Sequence, residues 1–335
     1  MTTIVYSCPF VPAEWIAAHG VRPMRILPHA IGGAQPVGAA IGVCPYARAF
    51  VNEVCSASGG DRLATGLTAD AVVVTTTCDQ MRRTAERIAA AGCLPVFLMH
   101  VPTTWQTVTA QKIYISELKR LGRFLVRLGG QAPAKGKLAD VMREQDSARA
   151  ALRAARGHLS ARQFSEALAD FHRTGRTDCQ SVLPQTGCQP VPLALVGGPL
   201  LPQHFDIFDR IEAAGGQVVL DATESGERTL PAPFDRRALN DDPFLTLADA
   251  YFGSIPDAFR RPNTMLYTWL KRELAAHGVR GIIFRHYVWC DTWRAEAQRM
   301  KEWAGLPLLL IEAGDEETIN GHAASRIQSF LEMLK

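Results

Sequence analysis

The stretch that decides the fold lies at residues 71–79 and has the sequence Ala-Val-Val-Val-Thr-Thr-Thr-Cys-Asp. Its first seven residues, Ala71–Thr77, form an almost entirely β-branched run, which predicts a strand buried on both faces. A helix is predicted at Gln80–Ala91, with Asp79 placed to cap it, and the next strand is predicted at Leu94–His100. A strand, a helix and a second strand in this order are typical of a βαβ unit with a parallel sheet.

The alternation of strands and helices recurs at both ends of the chain, and a helical stretch separates the two ends. We therefore predict an α/β fold with two parallel-sheet lobes and a helical insertion. The predicted regions are an N-terminal α/β lobe at 1–108, a helical region with its linker at 109–190, and a C-terminal α/β lobe at 191–335. In the C-terminal lobe, Asp241–Tyr251 and Asp291–Ala304 are each predicted to form one helix.

Bulk composition excludes several classes of protein. Of the 335 residues, 47% are hydrophobic and 21% are charged, which is ordinary for a globular chain. The net charge of +3 does not indicate a nucleic-acid-binding protein, which usually has a strongly basic surface. No apolar run approaches the roughly 18 residues of a membrane span, and the N-terminus lacks the pattern of a signal peptide. A cytoplasmic location is expected, and eight cysteines in a cytoplasmic chain argue against a disulfide framework.

Two cysteines occupy equivalent positions in the two lobes. Cys78 and Cys290 each follow a predicted strand, are themselves followed by an aspartate, and precede a helix. Sites in parallel α/β sheets form at the carboxyl ends of strands, and a helix N-terminus favours thiolate over thiol. We therefore predict one site in the cleft between the lobes, to which each lobe contributes a cysteine.

Further cysteines extend this predicted site. Cys44 lies just ahead of a predicted helix at Ala47–Val54, and Cys8 follows the first strand. Thiolate ligands without paired histidines favour zinc or an iron–sulfur cluster. Zinc usually takes closely spaced pairs of ligands, which are absent. Three cysteines around a four-iron cubane leave one iron open, as a Lewis acid and electron carrier, so we predict an iron–sulfur cluster held by Cys44, Cys78 and Cys290.

The remaining cysteines and one carboxylate are weaker candidates for the site. Cys55 and Cys93 are predicted to be small buried hydrophobic side chains, and either a ligand or a non-ligand role is open for Cys179 and Cys188. Glu14 is a candidate catalytic residue because it lies close in sequence to Cys8. Its position in the first turn of a helix favours a structural role.

Two other features are expected to be structural. His286 lies close to Cys290 in sequence, but a satisfied core histidine is the favoured interpretation. The pair Gly197-Gly198 has no accompanying Gly-x-Gly-x-x-Gly motif and is weak support for a phosphate-binding turn.

Five stretches, taken in order, resemble one known family. They are Cys8-Pro-Phe-Val-Pro-Ala-Glu14-Trp-Ile-Ala-Ala-His-Gly20 followed by Arg22-Pro23; Cys44-Pro-Tyr-Ala-Arg48; Thr76-Thr77-Cys78-Asp79; Val101-Pro102 with Tyr114 and Glu117-Leu118 after it; and Cys290 with the helix Arg326–Leu334. With these stretches the chain resembles the 2-hydroxyacyl-CoA dehydratase family, which also includes benzoyl-CoA reductase cluster subunits and double-cubane-cluster proteins. The resemblance spans nearly the whole chain.

The resemblance implies two Rossmann-like lobes, a helical region, and a [4Fe-4S] cluster on the cysteines that match Cys44, Cys78 and Cys290. It also implies radical chemistry on an acyl-CoA substrate, in which an ATP-dependent [4Fe-4S] activator protein injects one electron. A ketyl radical of the substrate then expels the 2-hydroxyl group, and loss of a β-proton yields the enoyl-CoA. The chain would be a lyase that works with a related second subunit or as a homodimer.

Two departures from the family pattern keep alternatives open. The chain is shorter than expected for most members, and it carries extra cysteines. If Cys8, Cys179 and Cys188 join the three predicted ligands, six thiolates would be available for a double-cubane [8Fe-9S] cluster, as in an ATP-dependent reductase. A cluster-free, non-catalytic subunit of a larger complex is the third alternative.

Overall fold

The computed structural model describes residues 1–29, 42–56, 63, 66, 68–177, 190–314 and 319–335. Within these residues the chain forms two four-stranded parallel sheets, with helices packed on both faces of each. No helix in these residues is long and apolar enough to cross a membrane.

The first sheet belongs to the N-terminal part of the chain and has the strand order β2-β1-β3-β4. Its elements are β1 (Thr3–Tyr6), α1 (Ala13–Ala18), β2 (Arg22–Arg25), α2 (Pro45–Ser56), β3 (Ala71–Thr75), α3 (Asp79–Ala90) and β4 (Val96–Met99). All five residues of the central strand β3 are buried, as its β-branched sequence predicts. Residues of α2 and α3 pack on one face of the sheet, and residues of α1 and of the helical region pack on the other.

The helical region follows β4 and consists of α4 (Val108–Arg127), α5 (Lys135–Ala155) and α6 (Ala161–Thr174). The start of α6 is a capping box, in which Ser160 and Gln163 exchange side-chain and backbone hydrogen bonds. Gly175 ends the helix in a left-handed conformation, with φ of 72°. Because α4 packs against β4 and α5 packs against α1, this region is built onto the first sheet and is not a separate bundle.

The second sheet has the order β6-β5-β7-β8. Its elements are β5 (Val191–Gly197), α7 (Asp206–Ala213), β6 (Gly216–Ala222), α8 (Arg236–Asp241), α9 (Pro243–Ala248), α10 (Thr264–Ala276), β7 (Gly281–Tyr287), α11 (Asp291–Arg294), α12 (Ala297–Trp303), β8 (Leu308–Ala313) and α13 (Gly321–Leu334). Every residue of the central strand β7 is buried.

Two helices of the second lobe differ from the prediction. The helix expected at Asp291–Ala304 is divided into α11 and α12, and at the break the buried carboxylate of Glu296 accepts a hydrogen bond from the Tyr267 hydroxyl at 2.7 Å. The helix expected to begin at Asp241 begins at Pro243, because Asp242 is the N-cap residue and its side chain accepts from two backbone N–H groups.

The predicted α/β class, with two lobes of parallel sheet, is confirmed by these two sheets. Both central strands of the first sheet, β1 and β3, and the central strand β7 of the second end just before a cysteine-containing segment. The boundaries predicted between the three regions stay a prediction.

Candidate functional site

The candidate site is built at the carboxyl ends of central strands in both sheets. Cys8 follows β1, Cys78 follows β3 and Cys290 follows β7. Strands β1 and β3 are neighbours in the middle of the first sheet, and β7 lies in the middle of the second. Cys44 directly precedes α2. Ligand sites in parallel sheets form at these ends, because the carboxyl ends of the strands and the N-termini of the following helices lie there.

All four of these cysteines line one cavity of about 60 Å³, which we call the thiol cavity. Its walls come from both lobes, since Tyr46 and Met81 of the first lobe face Tyr287 and Trp293 of the second. The four cysteines are separated by 36, 34 and 212 positions along the chain, as their numbers 8, 44, 78 and 290 show. Folding alone therefore brings them together.

Local hydrogen bonds fix the positions of three of the thiol-bearing residues. Cys78 is the N-cap of α3, and its sulfur accepts from the Met81 N–H at 3.3 Å. Asp79, expected to be the cap, is instead the first residue of the helix and is exposed, so that expectation was wrong. The Cys44 N–H donates to Gln80 Oε1 at 3.4 Å, which links the starts of α2 and α3. Cys8 Sγ lies 3.8 Å from Thr77 Oγ1.

Burial keeps the thiols of Cys8, Cys78 and Cys290 protonated when no metal is bound. It raises the pKa of Cys8 to about 12 and that of Cys78 to about 12. For Cys78 the effect of burial exceeds the opposite effect of the hydrogen bond from the Met81 N–H. The pKa of Cys290 is raised well above its ordinary value by burial and then by the neighbouring Cys44. The helix N-terminus does lower the pKa of Cys78 through the Met81 N–H, as expected, but desolvation is the larger effect and the net shift is upward.

The donor set fits a cluster better than a single ion. Within the ranges that the structure describes, no group of three or more His, Cys, Asp or Glu side chains is arranged to hold one metal ion. The ligands of a four-iron cubane bind different iron atoms, so they surround a larger volume than the ligands of one zinc ion. Four cysteine side chains that line one cavity between the two lobes match that requirement.

Two acidic residues at the thiol cavity were missed by the sequence analysis. Glu224 and Asp257 both line it. Asp257 accepts from Arg228 Nη1 at 2.9 Å, an ion pair inside the protein. Burial, and then the charge of Asp257, raise the pKa of Glu224 from 4.5 to about 7. A carboxyl group of this kind can donate or accept a proton near neutral pH.

Glu224 was detectable in principle, because it follows β6 by two residues and so also lies beyond the carboxyl end of a strand. Nothing in the local sequence Asp-Ala-Thr-Glu indicates which of its polar side chains faces a cavity. That choice depends on the packing of β6 against the second half of the chain.

The candidate catalytic residue Glu14 lies outside the lining of the thiol cavity. Its side chain is fully buried, pairs with the guanidinium of Arg149, and accepts from the Tyr251 hydroxyl at 2.7 Å. His286 is also buried away from the cavity, and its Nδ1 lies 3.1 Å from the carbonyl oxygen of Tyr287.

The pair Gly197-Gly198 has a packing role. Gly197 has a φ of 153° and lies against the backbone carbonyl of Arg285, so a side chain there would collide with strand β7. A Cβ on Gly198 would press on the indole of Trp293 at 3.1 Å. Both glycines allow β5 to lie close to the segment that carries Cys290.

One expectation about the remaining cysteines is corrected. Cys55 and Cys93 form a disulfide, with Cα atoms 5.1 Å apart, where separate hydrophobic side chains were predicted. The fold brings the ends of α2 and α3 together, and this proximity was invisible at a sequence separation of 38. Cys179 and Cys188 lie outside the described residues.

Comparison with known proteins agrees with the resemblance seen in the sequence. Residues 8–334 match the family described as 2-hydroxyglutaryl-CoA dehydratase, D-component. A search of curated proteins gives no match. The family match includes both lobes, the helical region and all four cysteines of the thiol cavity. The chain therefore belongs to the 2-hydroxyglutaryl-CoA dehydratase D-component family.

Proposed function

We propose that this chain is the iron–sulfur subunit of a 2-hydroxyacyl-CoA dehydratase and that Cys44, Cys78 and Cys290 hold a [4Fe-4S] cluster in the thiol cavity. The observation that carries the proposal is that these three thiols, from distant parts of the chain, line one cavity between two lobes. Membership of the family supports a dehydratase subunit. An ATP-dependent [4Fe-4S] activator and a companion subunit are the proposed partners.

When bound, a cubane on three thiolates supplies an open iron for Lewis-acid chemistry and one-electron transfer. The residues that line the cavity provide the thiols and the environment that such a cluster needs. The thiols of Cys8, Cys78 and Cys290, protonated in the cluster-free chain, lose their protons to the solvent if they become ligands. Most of the cavity lining is apolar, and an apolar lining strengthens the interactions between charges inside the cavity.

In this proposal Glu224 is the residue that holds a proton beside the reacting atoms. Its pKa of about 7 lets it give a proton to a leaving hydroxyl group or take one from the β-carbon of the substrate. Asp257 is less suited, because Arg228 already compensates its charge. Glu14 is held by Arg149 and Tyr251 in another part of the lobe.

A second candidate function, a double-cubane reductase, is favoured by one specific observation. Cys8 supplies a fourth thiol to the thiol cavity. The cavity, at about 60 Å³, is far smaller than the roughly 300–1,000 Å³ of typical ligand pockets, so an acyl-CoA must reach the site from outside it.

Counting iron and acid-labile sulfide in anaerobically purified protein separates the two candidates. We expect four irons per chain for the dehydratase subunit and about eight for the double-cubane reductase. Cys290→Ala should remove the brown chromophore and most of the iron, whereas the control Glu86→Ala, at an exposed residue outside the cavity, should retain both. Full iron retention in Cys290→Ala removes Cys290 from the ligand set.

Cys8 distinguishes the candidates a second time. Cys8→Ala should leave a four-iron cluster in place, and it should lower the iron content if an eight-iron cluster uses that sulfur. Colourless anaerobic protein, unchanged by Cys78→Ala, contradicts both candidates and supports a cluster-free subunit.

A further inference from the structure

A buried cation, Arg260, lies directly behind the wall of the thiol cavity. Its side chain is fully buried, and its Cζ atom lies 4.3 Å from the centroid of the Phe252 ring. The same atom lies 4.5 Å from the centroid of the Phe10 ring and 5.2 Å from that of the Phe259 ring. Phe10 and Phe259 also line the thiol cavity. The guanidinium is therefore separated from the cavity by the residues that form its wall.

The protein around Arg260 does little to compensate its charge. Its Nη2 atom donates to the carbonyl oxygen of Phe252 at 2.5 Å, whereas Nε and Nη1 are buried and have no hydrogen-bond partner among the residues that the structure describes. Burial lowers the pKa of Arg260 to about 10, so the group stays charged at neutral pH. A charge in the protein interior is costly unless it is paired, so we looked for the negative charge that would balance this one.

An acidic neighbour of Arg260, the side chain of Asp257, is already occupied. Its Oδ2 atom accepts from Arg228 Nη1 at 2.9 Å, and its Oδ1 atom accepts from the Phe259 N–H at 3.0 Å. Arg228 is itself fully buried. Two interior guanidinium groups, those of Arg228 and Arg260, therefore share the negative charge of one carboxylate, and one positive charge is left over.

A third buried arginine contacts the same cavity wall. Arg25 donates to the carbonyl oxygens of Ser7 at 2.8 Å and Glu224 at 2.9 Å, and both of these residues line the thiol cavity. These acceptors are uncharged, so they leave the charge of Arg25 in place. The Glu224 carboxyl group balances it only in part, because burial raises the pKa of that group to about 7. The three guanidinium groups thus exceed the negative charge of the two carboxyl groups.

An excess of positive charge behind a cavity of thiols suits an anionic occupant. In the cluster-free chain the thiols of Cys8, Cys78 and Cys290 are protonated and neutral, so they do not compensate the arginines. A cluster bound through cysteines turns its ligands into thiolates, and each electron that it accepts adds a further negative charge. Nearby charges act strongly on such a group in an interior of low dielectric constant, and they help to set its reduction potential.

We propose that Arg260 is an internal counter-charge of the cluster in the thiol cavity and that it raises the reduction potential of that cluster. The inference rests on the proposed function, since it requires a cluster, and it extends that function to a residue that is not a ligand. The unpaired N–H groups of Arg260 are buried, so the residue acts by its charge across the wall and not by direct contact. Its effect therefore follows the charge and not the shape of the side chain.

A redox titration of anaerobically purified full chain, followed by electron paramagnetic resonance, tests the proposal. Arg260→Met removes the charge and keeps an unbranched side chain that packs well against aromatic rings. We expect its midpoint potential to be more negative, with the electron held at least about tenfold less tightly, which is about 59 mV for a one-electron couple. Arg260→Lys keeps the charge and should stay close to the unmodified chain. An unchanged potential in Arg260→Met, or an equal shift in Arg260→Lys, overturns the proposal.

The neighbouring arginine provides the matched control. Arg261→Met makes the same change in net charge one position further along the chain, but the side chain of Arg261 is 50% exposed. Water and salt screen a charge at such a position, so the midpoint potential should be unchanged. A shift in Arg261→Met as large as that in Arg260→Met shows that the net charge of the chain matters and not the buried position, and it overturns the proposal.

Unfolding of the cluster-free protein in urea separates this role from a structural one. Arg260→Met removes a buried cation without a paired carboxylate, so it should be at least as stable as the unmodified chain. A large loss of stability, or a failure to fold, shows that the fold itself needs the guanidinium and overturns the proposal.

Iron content distinguishes a failure of this inference from a failure of the proposed function. Colourless unmodified protein contradicts the proposed function and this inference together, whereas a complete cluster with an unshifted potential in Arg260→Met contradicts the inference alone. Loss of iron in Arg260→Met but not in Arg260→Lys supports the counter-charge, because an anionic cluster then needs the charge in order to bind. Loss of iron in both variants overturns it.

Discussion

Replacing Glu14 with alanine tests the buried charge cluster formed by Glu14, Arg149 and Tyr251. Glu14 is fully buried, pairs with the Arg149 guanidinium, and accepts from the Tyr251 hydroxyl at 2.7 Å. A second carboxylate, that of Asp146, lies 3.6 Å from Arg149 Nη2. The Glu14→Ala change therefore leaves a guanidinium charge and a hydroxyl donor in the interior with one weak partner.

The expected loss in free energy of unfolding is about 3–5 kcal/mol, the usual effect of removing one partner of a buried ion pair. The unsatisfied Tyr251 hydroxyl adds about 1–3 kcal/mol, and a closer approach of Asp146 to Arg149 offsets a similar amount. Glu14→Gln keeps the shape and one carbonyl acceptor, so its loss should be smaller, about 1–2 kcal/mol.

Urea unfolding of the full chain, followed by tryptophan fluorescence, measures these losses. The matched control is Glu86→Ala, which removes an exposed carboxylate from α3 and should change stability by less than about 0.5 kcal/mol. A loss below about 1 kcal/mol in Glu14→Ala is what an exposed ion pair gives, and it contradicts the buried-pair interpretation.

The same variants decide between a structural and a catalytic role for Glu14. If the role is structural, Glu14→Gln retains its iron and its activity per folded molecule. Loss of a catalytic base instead lowers the rate by about 10²–10⁴-fold with little change in stability.

Three further changes have outcomes that follow from single features. In the cluster-free protein the pKa of Glu224 is raised from 4.5 to about 7, so the folded state binds this proton more tightly than the unfolded state does. The stability of the unmodified chain relative to Glu224→Gln should therefore fall by up to about 3 kcal/mol as the pH rises from about 4.5 to about 7. Urea unfolding at several pH values measures this difference, and equal pH profiles for the two proteins contradict it. Opening the Cys55–Cys93 disulfide, which spans 38 positions, should lower stability by about 4 kcal/mol in Cys93→Ser, and reductant should produce the same shift in the unmodified chain and none in the variant. Gly197→Ala places a methyl group against the carbonyl of Arg285 and should cost more than about 2 kcal/mol, measured as a lower thermal midpoint; an unchanged midpoint shows that the strands can separate without loss.

The strands and helices were predictable because their patterns are local. The β-branched run at Ala71–Thr75 and the apolar spacing of α4 and α6 each depend on neighbours within one element. The prediction was least accurate where a tertiary contact intervened. The helix predicted at Asp291–Ala304 is interrupted at Glu296, whose carboxylate accepts a hydrogen bond from the Tyr267 hydroxyl of α10. No local pattern contains that contact.

The candidate site was predictable in part for a similar reason. Cys78 and Cys290 were recognised from their positions at strand ends, and parallel sheets place all such ends at one edge. The acidic residues of the thiol cavity were not recognised, because a strand end does not indicate which way Glu224 points. The disulfide between Cys55 and Cys93 was not recognised either, because it depends on how α2 and α3 pack side by side.

The sequence by itself determined the class of fold, the strand-end positions of the cysteines and the family of the chain, all of which follow from short patterns and their order. Only the tertiary structure decided that Cys8 lines the same cavity as the other three thiols and that burial raises the pKa of Cys8, Cys78 and Cys290. It also brought the guanidinium of Arg149 against the buried carboxylate of Glu14. The physical reason is that the desolvation of a side chain and its distances to other side chains depend on residues far away in the sequence. These neighbours come together only once the two lobes and the helical region have packed.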